Sequence, residues 1–142
     1  MTTVRFYDEI DDSLLKFAVI IAKSDGKWVF CKHKKRDTYE IPGGHREKGE
    51  AILETAKREL YEETGALAFQ LTPICVYSVT APDNFDGAET FGMLYFAEIR
   101  TFEKELHSEI EKSILTDTLP ENWTYPLIQP KLLAEAERRG VV

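Results

Sequence analysis

Glu59, Glu62 and Glu63 stand at i, i+3 and i+4 of a stretch with helical periodicity. At about 100° per residue they fall within an arc of about 100° on one side of a helix. Like charges so spaced destabilise a bare helix by a few tenths of a kcal/mol each. A divalent cation reverses the sign of that interaction. Crowded carboxylate oxygens suit a hard ion, Mg²⁺ first and Mn²⁺ second. Three glutamates alone are as readily a solvated acidic face, so the flanking residues decide.

The helix that carries them is expected to begin near Glu50, with Gly49 and Glu50 at the N-cap and first turn. It should stop at Thr64, with Gly65 in the left-handed C′ position. Leu53, Ala56 and Leu60 recur at helical spacing and are expected to face the core. Arg58 lies one residue before Glu59 and four before Glu62, where it can pair with a glutamate and fix its rotamer. Glu50 can cap or brace the loop. Ahead of the helix, Tyr39 to Ile41 reads as a short strand ended by Pro42, and Gly43-Gly44 lets the backbone approach a ligand. Lys32, Lys34, Lys35 and Arg36 form a basic patch. It is either a solubilising loop or a holder of substrate phosphates, for which arginine offers a bidentate fork.

Read as a pattern, residues 44–66 are G-x(5)-E-x(7)-R-E-U-x-E-E-x-G-U, with U a bulky aliphatic. Gly44, Glu50, Arg58, Glu59, Leu60, Glu62, Glu63 and Gly65 fall in place, and Ala66 stands where a larger aliphatic is usual. This closely resembles the Nudix box of the MutT-like Nudix hydrolases, and eight fixed positions at fixed spacing are a specific signal. The preceding aromatic-polar-aliphatic-PGG segment, Tyr39 to Gly44, also matches. The resemblance implies an α/β (α+β) Nudix fold, a curved mixed sheet sandwiched between helices. It implies that the Gly43 carbonyl joins Glu59, Glu62 and Glu63 as a metal ligand. It makes Glu59 the residue nearest to a general base. Some members take the base from a later loop, where Glu89, Glu98, Glu109 and Glu111 are available and Glu109 is preferred.

Elsewhere the chain behaves as one soluble domain. It has 142 residues, 43% hydrophobic and 30% charged, with net charge −7. No basic run marks a polymeric nucleic-acid footprint. No apolar stretch reaches membrane-spanning length, and the N-terminus carries no signal-like apolar core, so a cytoplasmic location is expected. Cys31 and Cys75 read as buried free thiols. Strands are expected at Leu14 to Lys23, the first ordered element, and at Lys27 to Lys32 across an Asp25-Gly26 hairpin. Further strands are expected within Leu67 to Thr80, where Pro73 breaks one or marks an edge, and at Phe91 to Ile99. Pro126 or Pro130 should open a last helix with Leu132, Leu133 and Ala136 inward and Gly140 at its end. The loop 81–90 carries Phe85, which either plugs the core or stacks on a ligand base. His33, His45 and His107 are scattered and read as surface residues.

The function implied is Mg²⁺-dependent hydrolysis of a nucleoside diphosphate linked to another group. A nucleoside triphosphate, ordinary or oxidised as in 8-oxo-dGTP, leads. A nucleotide sugar, a dinucleoside polyphosphate or an RNA 5′ end is the alternative within the family. A non-catalytic nucleotide-binding module is the alternative of another class, and the intact acidic set opposes it. Arg36, Lys34 and Phe85 are the candidate substrate contacts outside the box. The partner is a small-molecule nucleotide, and the protein is expected to be a monomer or homodimer.

Overall fold

The computed structural model describes residues 1–82, 87–104 and 110–142, with residues 110–112 through their backbone alone. Among the described residues seven strands form one mixed sheet: β1 Thr3–Tyr7, β2 Leu15–Ser24, β3 Lys27–His33, β4 Gly43–His45, β5 Ala66–Thr80, β6 Thr90–Phe102 and β7 Ile110–Thr116. The order across the sheet is β1-β5-β6-β2-β3-β7, with β4 paired to β2 off that path. Among the named strands of the described residues, β2 and β6 pair in parallel and the other pairs are antiparallel. Helix α1 spans Ile52–Thr64 and helix α2 spans Gln129–Arg138.

The helices cover opposite faces. Along β2 the side chains alternate, as the pleat requires. Ala18, Ile20 and Ala22 join Ala56 and Leu60 of α1. Val19 and Ile21 belong with Leu132, Leu133 and Ala136 of α2. The expected sandwich is therefore present. The Asp25-Gly26 hairpin forms with both residues at positive φ, 53° and 77°, the type I′ requirement. Strand β5 runs through Pro73 with a register shift between Pro73 and Cys75, so the proline marks an irregularity and does not end the strand. Both cysteines are buried and free.

Strand β2 forks along one edge, and the fork positions the site. Ala22 to Ser24 pair with β3, whereas Phe17 to Val19 pair with β4. The β4 strand is the Gly43-Gly44-His45 segment itself. A side chain at Gly43 would meet backbone, and one at Gly44 would have to displace the Glu59 carboxylate. A Cβ on Gly43 would lie 2.6 Å from the Ala18 carbonyl oxygen, and one on Gly44 would lie 2.0 Å from Glu59 Oε2.

Three expectations are corrected. The first ordered element is β1, paired along its whole length with β5; five residues whose partner lies some seventy positions later carry little local signal. Helix α1 begins two residues later than expected, with Ala51 at the N-cap. Gly49, at φ 79°, turns the chain ahead of it, and Glu50 braces that turn from outside the helix. Leu53 is 43% exposed. The buried stripe runs instead through Thr55, Ala56, Leu60, Glu63 and Thr64, with Ile52 packed against it. Leu60→Ala should therefore cost about 2–5 kcal/mol of stability by urea denaturation, and Leu53→Ala no more than about 0.5 kcal/mol. Equal losses would mean that the stripe is misassigned.

Candidate active site

Arg58 joins the box helix to the loop before it. Its Nε donates to Glu50 Oε2 at 2.7 Å and its Nη2 to Glu50 Oε1 at 3.0 Å, a bidentate pair. Nη2 also donates to the His45 carbonyl at 2.9 Å. Nη1 reaches Glu59 Oε1 at 2.6 Å and Glu62 Oε2 at 3.4 Å. Glu50 is held from its own side as well. Its Oε1 accepts from the Thr55 hydroxyl at 2.7 Å and the Glu47 amide at 3.1 Å. These bonds, Arg58 foremost, lower the Glu50 carboxyl to about 2. Arg46 closes the same turn, donating from Nε to the Glu50 carbonyl at 2.7 Å and from Nη2 to Asp12 at 2.9 Å.

The carboxylates beside this network are pushed the other way. Burial raises Glu59 to about 7; Glu62 alongside adds to the rise, and Arg58, shared with Glu50, offsets only part of it. Burial raises Glu63 to about 8, against the Gly43 amide, which donates to its Oε1 at 2.7 Å. Glu63 is 8% exposed, and its Oε2 has no protein donor among the described residues. Glu59 Oε2 rests against Gly44.

Glu59, Glu62, Glu63, Gly43 and Gly44 line one cavity of about 750 Å³. The same cavity has apolar lining from Phe17, Val19, Val79, Ile128 and Leu132. Among the described residues no three His, Cys, Asp or Glu side chains stand ready converged for a metal ion. Glu59 and Glu62 are turned to Arg58, and one oxygen of Glu63 to the Gly43 amide. The donor set nevertheless fits a hard divalent cation. It offers crowded, partly desolvated carboxylates whose charging a cation would favour, with an unpartnered Glu63 oxygen facing the cavity.

The other sequence-singled residues divide. Arg36 lines the cavity, pairs with Glu40 at 3.2 Å and lies 6.0 Å from the Tyr125 ring. Lys34 is exposed and is not among the cavity-lining residues. His33 and His45 both line the cavity, and His45 packs edge-on against Phe17 at 4.7 Å. Glu89 accepts from the Tyr7 and Ser78 hydroxyls, each at 2.6 Å, away from the box. Glu98 is exposed on β6. Phe85, Glu109 and His107 lie outside the described residues, and for Glu111 only the backbone is described. The sequence reading missed Phe17, Tyr77, Tyr125 and Gln129 as cavity residues. Only the placement of Gln129 just before Pro130, at a helix start, was a local signal.

The raised carboxyls have a consequence for the metal-free protein. Unfolded glutamates titrate near 4.3, so over higher pH the folded state holds protons that the unfolded chain releases. Their contribution to stability is complete below the unfolded value and is lost as pH rises through about 7 and about 8. Glu50 acts oppositely, but its window closes below pH 4.3. In chelator, the melting temperature should fall between pH 5.5 and 8.5, and Glu63→Gln should flatten that fall. A slope equal in the two proteins would contradict the assignment.

Comparison with known proteins agrees with the site. A family model for the NUDIX domain matches residues 13–126. The putative 8-oxo-dGTP diphosphatase YtkD of Bacillus subtilis (strain 168) is 35% identical over 120 residues, covering 84% of this chain and 73% of that protein. An ADP-ribose pyrophosphatase of the same organism is 36% identical over 112 residues, covering 72% of this chain and 59% of that protein. Among solved structures, the Bacillus subtilis pyrophosphohydrolase BsRppH (E68A mutant) matches with a TM-score of 0.79 at 28% identity, covering 98% of this chain and 91% of that one. The acidic helix face tied by one arginine, the glycine strand pressed against it and these matches have one reading: the chain belongs to the Nudix hydrolases, enzymes of nucleoside diphosphate derivatives that generally use divalent metal ions.

Proposed function

We propose that the protein hydrolyses a nucleoside triphosphate, ordinary or base-oxidised as in 8-oxo-dGTP, to the nucleoside monophosphate and pyrophosphate, with Mg²⁺ as its cation. The carrying observation is that the box carboxylates and the apolar residues Phe17, Val19, Val79, Ile128 and Leu132 line one and the same cavity. A triphosphate lies along the acidic side only with cations present, and its base has an apolar surface to meet. The 35% identical relative carries the name of an 8-oxo-dGTP diphosphatase, which supports this substrate class.

Glu59, Glu62, Glu63 and the Gly43 carbonyl are the residues that would hold the ion. Bound Mg²⁺ would neutralise phosphate charge and make a bound water more acidic. Glu59, partly buried and charged beside the cation, would then accept a proton from the attacking water. Arg58 acts as a positioning residue, setting the Glu59 and Glu62 rotamers from its anchorage on Glu50. Arg36, with its guanidinium at the cavity, holds the distal phosphates. Lys34 and Phe85 remain proposed substrate contacts at the rim, and Glu109 a proposed auxiliary carboxylate. We place the protein in the cytoplasm as a monomer or homodimer.

A second reading, a nucleotide-sugar substrate, rests on the 36% identical ADP-ribose pyrophosphatase. Both readings cut an internal phosphoanhydride, so one assay tests both. A panel of nucleoside triphosphates, 8-oxo-dGTP and ADP-ribose is incubated in ¹⁸O-labelled water with Mg²⁺, and products are identified by mass spectrometry. A triphosphate should give monophosphate and pyrophosphate. Inorganic phosphate as the first product would overturn the geometry, and turnover confined to ADP-ribose would favour the second reading. Glu63→Gln should lower kcat by about 10²–10³-fold. Near-normal turnover in that variant would reduce the acidic face to a solvated surface.

A further inference from the structure

Two polar groups of cavity-lining residues have no protein partner among the described residues. Gln129, the first residue of α2, is 6% exposed. The Ile41 amide donates to its Oε1 at 2.7 Å, which fixes the orientation of the side-chain amide. The oxygen faces the backbone, so the NH₂ group is what remains for the cavity. No acceptor for Nε2 is present among the described residues, and the atom is not sealed from the cavity. Tyr77, 5% exposed, also lines the cavity, and its hydroxyl likewise makes no protein hydrogen bond among the described residues.

The sheet register explains how Tyr77 comes to lie there. Tyr77 pairs with Gly92, Gly92 with Phe17, and Phe17 with His45, one row across four strands. A Cβ at Gly92 would come within 2.7 Å of Tyr77 Cε1, Cζ and Oη. The phenol therefore occupies the space that a side chain at Gly92 would fill. Burial pushes its pKa upward, so the hydroxyl keeps its proton. Phe17 continues the row and also lines the cavity.

A planar heterocycle in this region meets aromatic and aliphatic walls and one fixed donor. An exocyclic amino group facing the Gln129 NH₂ would set two donors against each other and leave both unsatisfied in a buried place. A carbonyl there would be satisfied. We propose that Gln129, seconded by Tyr77, determines base specificity: its NH₂ donates to the carbonyl of a 6-oxopurine, and 6-aminopurines are rejected. This rests on the reading that the substrate is a nucleotide, and it adds the base and the residues that choose it.

Binding tests it apart from catalysis. GDP and ADP are titrated calorimetrically into the protein with Ca²⁺ at saturation in place of Mg²⁺, so that a hard cation screens the carboxylates, and the ratio of dissociation constants is compared across wild type, Gln129→Glu, Gln129→Met and Tyr77→Phe. Wild type should favour GDP by at least about tenfold. Gln129→Glu keeps an oxygen for the Ile41 amide but removes the donor, and should move the ratio at least about tenfold toward ADP. Gln129→Met should bring the ratio near one, which serves if the glutamate variant does not fold. Tyr77→Phe should weaken GDP binding with a smaller change in ratio. Equal affinities in wild type, or an unchanged ratio in a folded Gln129 variant, overturns the assignment. GDP preference without hydrolysis of any nucleotide would sink the proposed reaction and leave the base assignment standing. Hydrolysis of GTP and ATP with equal kcat/KM, unchanged in Gln129→Met, would sink the base assignment alone.

Discussion

The structure depends on one guanidinium. Arg58 spans the gap between α1 and the turn before it, and it spends its donors on Glu50, the His45 carbonyl, Glu59 and Glu62. Without it, three acidic residues within one helical turn would repel one another and Glu50 beneath them. With it, a repulsive face becomes an ordered one. The arrangement also separates two kinds of carboxylate. Glu50 is satisfied and held well below the usual range, at about 2. Glu59 and Glu63 are desolvated and held above it. The first kind braces the turn. The second is poised to gain from a cation, because the binding of positive charge offsets what burial has cost.

The forked strand β2 makes that poise useful. Its N-terminal half takes β4 as partner and its C-terminal half takes β3. That places Gly43 and Gly44 directly under the box helix. Neither position admits a Cβ without meeting backbone or the Glu59 carboxylate. The same row of the sheet that carries His45 continues through Phe17 and Gly92 to Tyr77. Three residues of that row, His45, Phe17 and Tyr77, line the cavity, and α2 adds Leu132 to it beside its N-cap Ile128.

How much of this was readable from sequence follows the range of each interaction. The box helix, its Gly65 terminus, the Asp25-Gly26 hairpin and the Pro130 helix start are encoded within a few residues and were legible. Leu53 was misread because helical periodicity allowed two neighbouring stripes, and only packing chose the one through Thr55 and Glu63. Strand β1 alternates correctly, yet its partner lies in β5, too distant for local pattern to declare. Gln129 and Tyr77 were invisible as cavity residues for the same reason. The Gln129 amide is oriented by Ile41, 88 positions earlier. Tyr77 occupies its place because Gly92 on another strand leaves room.

The Glu50–Arg58 pair is proposed to preorganise a cation-binding face without itself touching the ion. Mn²⁺ binding followed by electron paramagnetic resonance, in wild type and Glu50→Gln, tests this most directly. Removing one charge from a residue outside the ligand set should weaken Mn²⁺ about 10–100-fold, as loss of an outer-shell partner does, with the number of bound ions unchanged. Wild-type affinity in a folded Glu50→Gln protein would contradict the claim, and loss of one whole ion would make Glu50 a ligand.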